Sequence, residues 1–172
     1  MLNNNFIGWK TVLSAMEQVQ KVSPWLSRQI AQRASEWPFW FSGLQIDEWV
    51  DHRVRVSLPF SRRNSVDGEL CQGHVLLGAE LTLRLLILRF RQEFPFAYRM
   101  VASRLEVHNR LDQGLEYRFE VSVPDWENVR IEMARHEVTH SEFVLPAYLA
   151  DGRLAATVTF RLAFQLEKLL PA

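Results

Sequence analysis

The spacing of apolar residues along the chain changes from helical to strand-like near residue 44. Within residues 6–34 apolar side chains recur every three or four positions, as at Val12, Ala15, Met16 and Val19. From Leu44 onward the period is two, which is typical of half-buried strands. We therefore expect an N-terminal helical arm, residues 1–43, packed on a main domain, residues 44–172.

Alternation of apolar and polar residues predicts six strands in the main domain. They cover approximately residues 44–48, 53–58, 101–107, 115–123, 143–149 and 154–166. The third and fourth are expected to form a hairpin through the turn at 111–114, and Asp151-Gly152 predicts a hairpin between the last two. Pro124-Asp125 favours the start of a short helix that ends near Arg135, while Pro146 indicates a bulge or an edge strand.

A long helix is predicted from about Gln72 to about Phe94, after a polar segment that is expected to be a loop. Its apolar residues lie on every face, and a helix of this kind must be wrapped by other structure. An antiparallel sheet curled round one long central helix satisfies both the helix and the strands. The predicted fold class is therefore α+β.

Length, charge and cysteine content narrow the possible functions. The 172 residues fit one main domain, and 20 basic against 20 acidic residues give no electrostatic footprint for nucleic acid. No apolar stretch stays uncharged for the ~20 residues of a transmembrane segment. The first ten residues do not form a secretion signal, and the single cysteine, Cys71, suits a cytoplasmic location.

The segment that enters the long helix carries a recognisable order of residues. Asn64 is followed by Gly68, then by Gly73 at the helix start, and then by Glu80 two turns further on. This order resembles the motif of the hotdog-fold thioesterases, which has Asn, Gly, a His-Gly-Gly turn and a helix acid. Cys71 and Gln72 stand where that family has His and the first Gly of the turn.

Two further segments extend the resemblance over about residues 44–166. Gly78-Ala79-Glu80 is similar to a triplet in a little-characterised bacterial branch of these proteins, and 151–156 resembles their penultimate turn and last strand. The resemblance, which is to thioesterases of the phenylacetic-acid-degradation type, implies a hotdog fold. It also implies hydrolysis of an acyl-CoA or acyl carrier protein (acyl-ACP) thioester by a homodimer or dimer of dimers, with no cofactor and no metal.

General chemistry assigns roles to the same residues. Unpaired amides at a helix N-terminus attract negative charge, so the Gln72 and Gly73 N–H groups can hold a thioester oxygen as it becomes an oxyanion. Glu80 can act as general base on water, or as nucleophile. Asn64 can orient that water or the substrate, and Gly68 is expected to lie at the substrate-binding loop.

Structural explanations exist for the same residues. Glu80 precedes Arg84 by four positions, which favours a helical ion pair, and Asn64 lies in a turn-rich loop where Asn commonly caps. The departures at Cys71 and Gln72 favour a non-catalytic hotdog that binds acyl groups or only dimerises. These alternatives define a second hypothesis beside the hydrolase.

A separate motif, His136-Glu137-Val138-Thr139-His140, matches the H-E-x-x-H signature of zinc hydrolases. That signature requires both His on one continuous helix. Here β-branched residues lead directly into a predicted strand, and Pro146 follows closely. We interpret the match as a coincidence at a helix end, with a zinc-dependent hydrolase as the remote alternative.

Overall fold

The computed structural model describes residues 42–50 and 52–166. All but the last two residues of the predicted N-terminal arm lie outside this range, so the prediction of a helical arm is not tested. The division between residues 1–43 and residues 44–172 likewise stays a prediction.

Within the described residues the chain forms eight strands and two helices. In order these are β1 Gln45–Val50, β2 Arg53–Leu58, β3 Ser65–Val66, β4 Glu69–Leu70, α1 Gln72–Glu93, β5 Phe96–Val107, β6 Leu115–Glu120, α2 Val123–Arg135, β7 Thr139–Leu149 and β8 Leu154–Leu166. The predicted order and the α+β class are confirmed. The short β3–β4 hairpin falls inside the segment that was predicted as a loop.

Six strands form one antiparallel sheet in the order β1-β2-β6-β7-β8-β5, which leaves β1 and β5 at its edges. Helix α1 packs on the inner face of this sheet, mainly against β2 and β6. Val75, Ala79, Leu86 and Phe90 of α1 are fully buried. The predicted sheet packed on a central helix is confirmed, and no helix in the described ranges is long and apolar enough to cross a membrane.

The predicted hairpin between the third and fourth main-domain strands is wrong. Strand β5 pairs with β8 over its whole length, whereas β6 lies between β2 and β7. The segment between β5 and β6 contacts β4 instead, because the Leu70 N–H of β4 donates to the Leu111 carbonyl at 2.8 Å. Alternation defines the faces of a strand, but it does not identify the strand's neighbours.

Strand β5 also departs from its predicted alternation. It begins at Phe96, and a bulge at Val101 shifts the register between Met100 and Ala102. Ser103, Leu105 and Val107 therefore share the inner face as predicted, while Val101 does not. The inner face of β5 is partly uncovered: Phe96 is buried, whereas Met100 is 38% exposed and Val107 45% exposed.

Helix α2 covers the inner face beside α1. Ser122 caps it by accepting a hydrogen bond from the Asp125 N–H, and the Trp126 ring stacks on Phe90 of α1 with centroids 3.9 Å apart. The short helix was predicted correctly. Val123 was wrongly predicted to end the strand over 115–123, since it is the first residue of α2 and is 59% exposed.

The last two strands form the predicted hairpin. Gly152 adopts φ of +84°, a left-handed conformation that a turn of this kind requires. Pro146 itself pairs in register with Thr157, and β7 is not an edge strand, but the β7–β8 register shifts nearby, between Ala147 and Tyr148.

Candidate active site at the first helix

The N-terminus of α1 leaves two backbone donors open. Cys71 is the N-cap residue and provides no side-chain cap, and its carbonyl accepts from His74 N–H at 2.9 Å and Val75 N–H at 3.2 Å. The N–H groups of Gln72 and Gly73 have no acceptor in the described part of the chain. A Cβ built on Gly73 would meet nothing within 4 Å. A ligand oxygen can therefore reach both amides.

Asn64 is fully buried and holds the loop before α1 in place. Its amide nitrogen donates to the Ser42 carbonyl at 3.1 Å and the Pro59 carbonyl at 2.6 Å. Its Oδ1 accepts from the Ser61 N–H at 2.9 Å. The Asn64 backbone carbonyl in turn accepts from Cys71 N–H at 2.8 Å, so this residue positions the helix start.

Gly68 lies in the turn of the β3–β4 hairpin, directly before Glu69. It is exposed, has φ of +79° and follows Asp67, which also has positive φ. Glu69 forms an ion pair with Arg110 at 2.9 Å. The hairpin therefore forms a polar rim beside the start of α1, with Gly68 three residues before the N-cap residue.

Glu80 lies two turns into α1 on a partly exposed stripe of the helix. Its Oε1 accepts from Arg84 Nε at 2.9 Å and from a terminal guanidinium nitrogen of Arg84 at 2.7 Å. Its Oε2 has no partner among the described residues, and the side chain is 25% exposed. Leu76 and Leu77 of the preceding turn are partly buried beside it.

The predicted site residues separate into two groups along one helix face. Asn64 and the open amides of Gln72 and Gly73 lie at the start of α1. Glu80 follows Gly73 by seven residues, which is about 10.5 Å along the axis and about 20° from alignment. One chain therefore presents the base and the amides on the same face, but separated by two helical turns.

Comparison with known proteins gives the fold. No family model and no curated protein matches the sequence. A Pseudomonas aeruginosa protein of unknown function, described as a probable thioesterase, superposes with a TM-score of 0.74 at 15% identity, over 83% of this chain and 95% of its own. The chain has the hotdog fold.

Two further solved hotdog structures resemble the chain. A thioesterase from Haemophilus influenzae matches with a TM-score of 0.60 at 11% identity, covering 83% of this chain and 92% of its own. A thioesterase family protein from Silicibacter pomeroyi matches with a TM-score of 0.59 at 21% identity, covering 87% of this chain and 98% of its own.

Two residues that support this hotdog helix were not identified from the sequence. The Tyr117 hydroxyl of β6 donates to the Val75 carbonyl at 2.9 Å, and burial raises the pKa of this phenol above its ordinary value. A Cβ on Gly78 would lie 2.6 Å from Cζ of Tyr117. The glycine inside a strongly helical pattern was the available signal of a close approach.

The H-E-x-x-H segment does not form the helix that a zinc site of this type needs. Helix α2 ends at Arg135, His136 is its C-cap residue, and His140 lies in β7. This agrees with our interpretation of a coincidental match at a helix end. The described residues contain no cluster of three or more metal-ligating side chains.

Proposed function

We propose that the protein is an acyl-thioester hydrolase in which Glu80 activates water and the amides of Gln72 and Gly73 stabilise the oxyanion. The observation that carries this proposal is the placement of a half-buried carboxylate, with one oxygen unengaged, on the same helix face as two open backbone donors. The thioesterase descriptions of proteins with this fold point in the same direction.

The chemistry needs only these groups. Glu80 removes a proton from water, and the hydroxide adds to the carbonyl carbon of the thioester. Charge that develops on the carbonyl oxygen is stabilised by the helix amides. Collapse of the tetrahedral intermediate expels the thiolate, which takes the proton from Glu80, and the carboxylic acid product leaves as its anion.

We propose that the complete site is shared with a second copy of the chain. A water bound to Glu80 and an oxyanion bound to Gly73 must be in contact, yet each hydrogen bond spans only about 3 Å. The backbone positions of residues 73 and 80 are ~10.5 Å apart along one helix, so a site shared between two chains would let a carboxylate approach the amides more closely. We propose a homodimer in which Glu80 of one protomer works with the helix start of its partner, and a dimer of dimers as the larger assembly.

Strand β5 is the surface that suits this dimer. It is 12 residues long and pairs only with β8, so its other edge lacks a partner in the described sheet. Its partly exposed inner face lies beside the inner face of β8 in the same sheet. On β8 the inner residues Phe160 and Leu162 are buried. A second β5 can extend the sheet and bring its own helix near this face.

The remaining assignments follow from the surroundings of the site. Leu76 and Leu77 beside Glu80 suit an apolar acyl or aryl group, carried by CoA or acyl carrier protein. Asn64 already uses its side chain on three backbone groups, which supports a role in positioning the helix start more than direct contact with water. We propose that Gly68 lies at the rim that the carrier crosses, and that the protein acts in the cytoplasm.

The alternative is a hotdog that binds acyl groups or dimerises without catalysis. The ion pair between Glu80 and Arg84, together with Cys71 and Gln72 at the positions of the usual His and Gly, favours it. A panel of short, long and aromatic acyl thioesters distinguishes the two functions. If none is cleaved above background, the binding function is the better description.

The variant Glu80→Gln tests the mechanism. It keeps the size of the side chain and removes the base, so turnover should fall by roughly 10²–10⁴-fold. Glu127→Gln is the matched control, because Glu127 is also a helix acid paired with an arginine, Arg130. Activity that survives in folded Glu80→Gln protein would refute the mechanism, and the measured cost would then be about 0.2–0.5 kcal/mol for the ion pair.

A further inference from the structure

Helix α1 has a second apolar face, which points away from the sheet. Successive helical residues are rotated by about 100°, so Leu77, Leu81 and Leu88 lie about 150–170° from the centre of the buried face that runs from Val75 to Phe90. We call these three residues the leucine stripe. The sheet packs on the opposite side of the helix, mainly through β2 and β6. The strands that cover the buried face therefore do not cover the leucine stripe.

The leucine stripe is nevertheless shielded from solvent. Leu81 is 3% exposed, and Leu77 and Leu88 are half-buried. Trp49 of β1 reaches this flank of the helix, where its indole N–H donates to the Leu85 carbonyl at 3.1 Å. Leu85 lies about 6 Å further along the helix axis than Leu81. The burial of Leu81 therefore calls for a further segment nearer the start of α1.

The chain enters the described domain at this end of the helix. Ser42 is 1% exposed, and its carbonyl accepts from the Asn64 amide at 3.1 Å. The Asn64 carbonyl in turn accepts from the N-cap residue, Cys71. Residues 1–41 therefore end beside the start of α1. The helix rises about 15 Å from Cys71 to Leu81, and five extended residues can span about 17 Å.

The five residues directly before Ser42 are suited to an apolar surface. Residues 37–41, Trp-Pro-Phe-Trp-Phe, form what we call the aromatic segment. A packed aromatic side chain buries about 150–250 Å² of surface, so four of them need a large apolar partner. Neither the aromatic segment nor the leucine stripe carries a charge, so contact between them buries no unpaired ion. The segment thus matches the stripe in both position and chemistry.

We propose that the aromatic segment docks on the leucine stripe of α1 in the same chain. The inference concerns an interaction surface and does not depend on thioester hydrolysis. Glu80 lies about 60° round the helix from Leu77, so the docked segment forms one side of the space around the proposed base.

Photocross-linking from the leucine stripe tests this inference in the 172-residue chain. The variant Leu77→p-benzoylphenylalanine places a photoreactive group at a half-buried position, and mass spectrometry locates the product. Residues 37–41 should be the cross-linked segment. A mixture of unlabelled and ¹⁵N-labelled protein shows whether both linked segments belong to one chain. Ile131→p-benzoylphenylalanine is the matched control, because Ile131 is 40% exposed on α2 and should not link to residues 37–41. A product with residues 37–41 of a partner, a product with another segment, or no product from position 77 would overturn the inference.

Thiol labelling provides a second measurement. Leu77→Cys in a Cys71→Ser background carries one thiol, which maleimide should label slowly. Serine at the four aromatic positions, Trp37, Phe39, Trp40 and Phe41, should speed this labelling by about tenfold or more, because it removes the apolar surface that docks. Ile131→Cys in the same background is the control and should react equally fast with and without the four serines. Unchanged labelling at position 77, or equal acceleration at both positions, would overturn the inference.

The outcomes separate this inference from the proposed function, since neither measurement requires catalysis. A cross-link from position 77 to residues 37–41 in a protein that cleaves no thioester would uphold docking and refute hydrolysis. Thioester cleavage by a protein without this cross-link would uphold hydrolysis and refute docking.

Discussion

Asn64 uses its side chain to satisfy backbone groups around the loop before α1. It donates to the Ser42 and Pro59 carbonyls and accepts from the Ser61 N–H. A buried backbone group that loses its partner costs about 1–3 kcal/mol, which exceeds the gain from forming one ordinary hydrogen bond. The residue can therefore be essential to the site without touching the substrate.

Replacing Asn64 with Ala should lower the free energy of unfolding by about 1–3 kcal/mol, because it removes hydrogen bonds to one buried and two half-buried backbone groups. Urea denaturation measures the change. Asn109→Ala is the control, since the exposed Asn109 amide makes a single bond to the Leu154 carbonyl and its loss should cost little. Unchanged stability of Asn64→Ala with lost turnover would instead place Asn64 on the reacting water.

Gly78→Ala should destabilise the protein although alanine is the better helix former. The added methyl would lie 2.6 Å from Cζ and 2.7 Å from the hydroxyl oxygen of Tyr117. Relief of this overlap must move a fully buried ring, at a cost of about 1–3 kcal/mol. Gly73→Ala is the control for helix propensity, since its Cβ meets nothing within 4 Å. Equal unfolding midpoints for the two variants would contradict the close packing of β6 on α1.

At the scale of elements, local periodicity accounts for most of what could be predicted. The bounds of α1 and the inner faces of β6 and β8 follow from apolar spacing, which depends on neighbours a few residues away. Strand pairing does not follow from apolar spacing. The partner of β5 is β8, about 60 residues further along the chain, and no local pattern distinguishes it from β6. The bulge at Val101 likewise cannot be predicted from the alternation of apolar and polar residues.

The features of the candidate site also fall into those that follow from local geometry and those that depend on distant segments. The open amides of Gln72 and Gly73 and the alignment of Glu80 follow from helix geometry, so the sequence was sufficient to predict them. The role of Asn64 depends on Ser42, which is 22 residues earlier in the chain. The packing of Gly78 depends on Tyr117 in another element. Contacts of this kind become visible only when the fold brings distant segments together.

At the scale of the whole molecule, β5 is a long edge strand that carries exposed apolar residues. Long edge strands with exposed apolar residues are usually shortened, charged or covered, because their unpaired backbone groups invite another strand. Here Met100 and Val101 are 38% and 46% exposed near the bulge. A second copy that covers them is the partner that the proposed shared site calls for.

The Met100→Lys/Val101→Lys variant therefore tests the proposed homodimer. Light scattering of the wild type at micromolar concentration should give twice the mass of one chain, or four times for a dimer of dimers. The variant should give half the wild-type mass, because burying two lysine charges without partners is strongly unfavourable. Thioester turnover should fall together with the dimer, since Glu80 and the helix amides would no longer meet. Val144→Lys is the control, because Val144 is 53% exposed and lies opposite Thr159 of β8, away from the edge strand β5, and it should leave mass and turnover unchanged. A monomeric wild type that cleaves thioesters would contradict a shared site, and a variant that remains dimeric would place the interface away from β5.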